Sequence, residues 1–109
     1  MEEAHVLAMD AYRFTDASPN SEKYGLISQM QRSAVSIPTD IAEGSGRFSD
    51  RNFARFVAIA IGSSNELEYL LLLSGDMGLG EAAAARAMRG QVIEVRRMLL
   101  SLHKRLRAA

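Results

Sequence analysis

The residues able to do chemistry are few, and their spacing decides what they can do. Glu43, Glu66 and Glu68 offer three carboxylates on two consecutive helical stretches, the raw material of a di-iron bundle. Such a site takes a Glu-x-x-His from each of two helices. Glu2 stands three residues before His5, but Leu100 holds that place before His103, and no third histidine exists. A di-iron centre is therefore excluded, and two imidazoles are too few for a histidine-rich metal site. Cysteine is absent, which removes thiol chemistry, disulfides and thiolate-bound zinc. Paired carboxylates can work as general acid and base only where a pocket separates their pKa values, and no stretch marks one. The expectation is a protein that is not an enzyme and takes no metal and no cofactor.

Two polar constellations remain. Arg32 to Ser36, Ser36 to Asp40 and Glu43 to Arg47 are each four residues apart, within reach along one helix face. Arg32, Ser36, Asp40, Glu43 and Arg47, with Arg55, Ser63, Glu66 and Glu68 of the next helix as candidate partners, read as a structural polar network. It would satisfy itself and the amide region that Pro38 disturbs. The second constellation is Arg47, Arg51 and Arg55 around Phe48, the nearest approach in the chain to cations interleaved with a ring. These three, helped by the basic fourth helix, are the candidate anion-binding residues, with RNA or another anionic partner as the candidate ligand. Asp50 among them argues for ordinary solvated charge instead. His5 reads as a terminal surface residue and His103 as a solvated one.

The elements that must position these groups are helices. Leu7, Ala11 and Phe14 share one face of a first helix over 4–15. Residues 16–21 read as a turn, with Ser18 or Ser21 as a cap and Pro19 at a helix start. Ile27, Met30, Ala34, Ile37 and Ile41 form the core stripe of a second helix over 24–47, with a bend expected at Pro38. Ser49 is placed to cap a third helix with the core stripe Phe53, Val57, Ala60, Ser64, Leu67, Leu71 and Ser74. After a glycine-rich turn at 75–80, Met88, Val92, Val95, Leu99, Leu102 and Leu106 mark a fourth. Gly90 lies within it and is expected to admit close packing of a neighbouring helix. Short connections between long amphipathic helices predict an all-α, antiparallel up-down-up-down four-helix bundle, a single domain over 1–109.

The third helix is the unusual one. Residues 56–61 are consecutive and apolar and 70–73 are four leucines, so the helix is apolar almost all round. A bundle helix with water on its outer side should not be. Ile59, Leu70 and Leu73 are accordingly candidates for a subunit interface. No run is expected to be long and apolar enough to span a bilayer, and the acidic start MEEAH is unlike a signal peptide, so a cytoplasmic protein is the default. Formal net charge is zero, which argues against a surface built wholly for nucleic acid. The charge is uneven, however. Residues 1–46 hold three basic and seven acidic side chains, and 81–109 hold seven basic and two acidic. Antiparallel neighbours would let much of this cancel locally.

Two motifs resemble a known family. Tyr24-Gly25-Leu26, Ser28-Gln29, Arg32, Ala34-Val35-Ser36-Ile37-Pro38 and Ile41-Ala42-Glu43-Gly44 resemble the first signature of the bundle proteins named after the intervening sequences of 23S ribosomal RNA genes. Phe56, Ala60, Gly62-Ser63 and Glu66-Leu67-Glu68 resemble the second, in the right order and at the right separation. The likeness covers roughly Ala11 to Leu106. It implies a helical bundle assembled into a ring-like homo-oligomer, a pentamer in several members, with no reaction attached and nucleic acid as the suggested partner. The chain departs from the family at Asp40, where Asn is usual, at Gln31 and Ser33, and in its short first helix.

Overall fold

In a computed structural model describing residues 1–16 and 25–108, the chain forms α1 (Glu2–Asp16), α2 (Leu26–Ser45), α3 (Asp50–Asp76) and α4 (Ala82–Ala108). The all-α four-helix bundle is as the sequence predicts. Ser18, Pro19 and Ser21, proposed for the first connection, lie outside the described residues. At 1.5 Å per residue α3 and α4 are each about 40 Å long, against a longest molecular dimension of 46 Å. With only short turns between α2, α3 and α4, each of these helices must reverse on the last. Each helix packs on two neighbours in the cyclic order α1, α2, α3, α4, and the diagonal pairs stay apart.

The helix ends follow local chemistry. Ser49 Oγ accepts the backbone N–H of Asn52 at 3.1 Å and caps α3 as expected. At the other end Gly78 takes φ +74°, Leu79 N–H donates to the Ser74 carbonyl at 2.8 Å and Gly78 N–H to that of Gly75 at 3.2 Å. This is the paired-bond stop that needs a left-handed residue, and the Leu79 side chain is buried beneath it. α2 runs helical without interruption through Pro38.

The core is the set of predicted stripes brought together: Leu7, Ala11, Met30, Ala34, Ile37, Val57, Leu67, Leu71, Val92, Val95 and Leu99 are all buried. With few aromatics and no Trp, it is closed by close helix approach. That approach is tightest at Gly44, the last residue of the first signature. A Cβ there would lie 2.8 Å from both Phe53 Cδ1 and Phe56 Cβ. Gly90 is the reverse case. Nothing lies within 4 Å of a Cβ built on it and the residue is exposed, so the expectation of helix packing there is not met within the chain.

The two glycines should therefore answer substitution with opposite signs. Gly44→Ala should lower stability by about 1–2 kcal/mol, overpacking against Phe53 and Phe56 outweighing the gain in helix propensity. Gly90→Ala should raise it by about 0.5–1 kcal/mol. Denaturant melts of the two variants check both signs, and a loss at Gly90 would mean that something packs on that face.

Candidate functional site

Each of the four helix seams holds a polar tie. Between α1 and α2, Gln31 Nε2 donates to Thr15 Oγ1 at 3.0 Å, and the Thr15 hydroxyl donates back to the Ala11 carbonyl at 2.9 Å. Between α2 and α3, the hydroxyls of Ser36 and Ser63 bond at 2.9 Å. Between α3 and α4, Arg96 Nη1 donates to Glu68 Oε1 at 2.6 Å and to Asn65 Oδ1 at 3.1 Å. Between α4 and α1, Gln91 Nε2 donates to Asp10 Oδ2 at 3.0 Å. Among these, Ser36, Ser63 and Glu68 came from the candidate network, and Ser36 meets Ser63, whereas Glu68 meets Arg96 instead; the remaining partners are far apart in sequence and their pairing depends on helix register.

The network proposed on α2 is only partly assembled. Ser36 donates to Asp40 Oδ2 at 2.8 Å, so its hydroxyl joins Asp40 to Ser63. Glu43 and Arg47 approach to 3.9 Å with both side chains about half exposed, a pair of small energetic weight. Arg32 and Glu66 are exposed and make no hydrogen bond or ion pair among the described residues. Arg32 lines a shallow groove with Tyr12, Gln31, Ser36 and Asp40 but bonds to none of them.

The arginine trio is only partly brought together. Arg47 lies 3.9 Å from Glu43 and over the Phe56 ring, 4.7 Å from its centroid, and Arg55 lies over the same ring at 5.9 Å. Arg51 and Arg55 line a cleft of about 970 Å³ between the start of α3 and the end of α4, together with Ser49, Asn52, His103 and Arg107. Ala54, Ala58 and Leu106 complete its wall. Sequence reasoning reached the basic fourth helix but not its residues, since His103 reads as solvated and Arg107 as a helix-end charge. Their four-residue spacing was the available signal, but nothing local says which α3 residues an α4 turn will face.

Expected cancellation between the acidic front and basic back is not seen in the ion pairs. Among the described residues none joins 1–46 to 81–109: Arg96 pairs with Glu68 and Arg97 with Glu94. Glu2 and Glu3 share a groove with Gln91, Glu94 and Val95, so these carboxylates lie beside the middle of α4 and not beside its basic last turns.

The interface candidates also sort out. Ile59 is 48% exposed, Leu73 is half-buried against the core, and Leu70 is only 5% exposed. Leu70 is thus a core residue and not an interface candidate: it follows Leu67 by three and precedes Ser74 by four, which points it inward. Leu72 and Tyr69 are the exposed residues of that segment. The expectation that no segment could span a bilayer also needs correcting, since an 18-residue window of α3 reaches mean hydropathy 1.4 and passes by length and composition, though only 33% of it is buried within the chain. No group of three or more candidate metal ligands occurs among the described residues.

What fold and site define is a small helical bundle with an underused apolar helix and a basic cleft. The chain belongs to the family described as 23S rRNA-intervening sequence protein, whose model matches residues 1–101. A crystal structure of a protein of unknown function from the S23 ribosomal protein family of Bacteroides thetaiotaomicron has the same fold. It superposes with a TM-score of 0.85 at 23% identity, covering 94% of this chain and 96% of that one. No curated protein matches.

The ties differ in weight. Arg96→Ala should cost about 1.5–3 kcal/mol, because the Arg96–Glu68 bond is charge-assisted and largely shielded from water. Arg32→Ala and Glu43→Ala, singly or together, should stay within about 0.5 kcal/mol of the parent. Denaturant melts of the four proteins give the ranking, and a loss above 1 kcal/mol for Arg32→Ala would show that Arg32 has a buried partner.

Proposed function

We propose that this protein is a non-catalytic structural unit that works as a homo-oligomer, with α3 as the element covered by neighbouring copies. The observation that carries the reading is the mismatch on α3. Its apolar window has mean hydropathy 1.4, yet only 33% of it is buried by the chain itself. Ile59, Tyr69 and Leu72 project from the exposed side, while Gly62 keeps that side low enough for another helix to approach. An exposed apolar face on a bundle this small marks a contact with something apolar.

A second copy fits that face better than lipid does. Glu66 is exposed within the same helix, and Glu68 is engaged with Arg96 beside it. A charged side chain at mid-membrane costs roughly 2.5–3.5 kcal/mol even on the most lenient scale, whereas an interface between copies accommodates it at its rim. The family resemblance extends this reading to a closed ring, with five copies as the expected number.

Sedimentation at micromolar concentration checks the proposal. The expected particle is several times the 11.9 kDa of one chain, and a clean monomer would overturn it. Ile59→Glu and Leu72→Glu should each loosen the assembly while far-ultraviolet circular dichroism stays unchanged.

A further inference from the structure

The cleft between α3 and α4 is lined by Arg51 and Arg55 from one helix and His103 and Arg107 from the other, with Ser49 and Asn52 beside them. No carboxylate lines it, and none of its guanidiniums has an ion pair or hydrogen bond among the described residues. Arg51 and Arg55 are four apart on α3, and His103 and Arg107 are four apart on α4. Each pair therefore shares a face, and the two faces converge. The helix dipoles roughly offset here, since α3 presents its positive end and α4 its negative end. The positive character comes from the side chains.

Like charges drawn together without an acid are a cost that a bound anion removes. At about 970 Å³ the cleft is on the scale of organic-ligand sites and far exceeds the need of one inorganic ion. Guanidinium forks match phosphate oxygens in pairs. Phe48 does not line the cleft, but it immediately precedes the lining residue Ser49 and its ring is wholly exposed, available to stack on a nucleobase that reaches past the cleft's edge. We propose that this cleft binds nucleotide phosphates, with Arg51, Arg55 and Arg107 on phosphate oxygens and Phe48 against a base. The phosphates belong either to a single strand of nucleic acid or to a free nucleotide.

Fluorescence anisotropy of a labelled twelve-residue oligouridylate, with unlabelled uridine monophosphate as competitor, tests this. Three phosphate contacts predict a slope of about −2 for log K against log salt, or roughly a fifteenfold loss between 50 and 200 mM salt. Arg51→Glu with Arg107→Glu should abolish binding, and Phe48→Ala should weaken it by about fivefold or more. The control is Arg86→Glu with Arg97→Glu, which makes the same change in charge on α4 outside the cleft and should affect binding far less. Displacement by equimolar monophosphate identifies a free-nucleotide site, and displacement only by longer oligonucleotides identifies a strand site. The proposal is overturned if neither probe binds more tightly than about 10⁻⁴ M at 50 mM salt. It is equally overturned if the control variant loses as much affinity as the cleft variant while both remain folded.

Discussion

The constraint on which most of this structure depends is the inequality of its helices. α1 has 15 residues against 27 in α3 and in α4, so it reaches about 22 Å along neighbours of about 40 Å. Its acidic first turn lies beside Glu94, away from the basic last turns of α4. Those turns bring His103 and Arg107 to a cleft shared with Arg51 and Arg55 of α3. A chain with zero net charge thereby comes to hold a cleft of one sign. The sum of charges says nothing about this; the register of the helices does.

Within the bundle, burial and specificity are divided between two kinds of residue. The apolar stripes supply the driving force, which is non-directional and roughly proportional to area. Stripes of Ala, Leu, Ile and Val could slide by a turn with little penalty. The ties across the seams resist that, because Gln31 meets Thr15 and Arg96 meets Glu68 in one register only. Gly44 acts in the same sense from the packing side: the Phe53 ring and Phe56 Cβ come so close that only the residue lacking a Cβ fits. The first signature ends on this glycine for a steric reason, and the end of α2 is fixed against α3 as a result.

Sequence reasoning reached the stripes because a period of 3.6 is a local property. Thus Ile27, Met30, Ala34, Ile37 and Ile41 were legible without knowing what they pack on, and all five are buried. The same reasoning gives reach without partnership for polar groups. The four-residue spacing of Arg32 and Ser36 allows a bond that does not form, while Ser36 and Ser63, 27 positions apart, form one. Phase within the third helix was legible but underused: Leu70 continues the inward stripe from Leu67, and Leu72 does not. The cleft was half legible, through Arg51 and Arg55. Its other half needed the turn at 77–81 to set which turns of α4 lie beside which turns of α3.

Assembly and anion binding make different demands on α3, and the helix is built so that both can be met. Its exposed apolar residues Ile59, Tyr69 and Leu72 extend from the third turn towards the last, while Arg51 and Arg55 occupy the first two. A neighbour covering the apolar stretch would leave the first turns outside the contact. In the proposed ring each copy would add one cleft, at a spacing fixed by the same interface. Phosphate contacts contribute to affinity in proportion to the charges neutralised, so three guanidiniums per chain hold a strand weakly. Several clefts spanned by one strand hold it tightly, because every contact after the first is made at high effective concentration. A free nucleotide gains nothing from that arrangement, since it fills a single cleft. If α3 is covered by its own copies, the strand is therefore the ligand that the architecture favours.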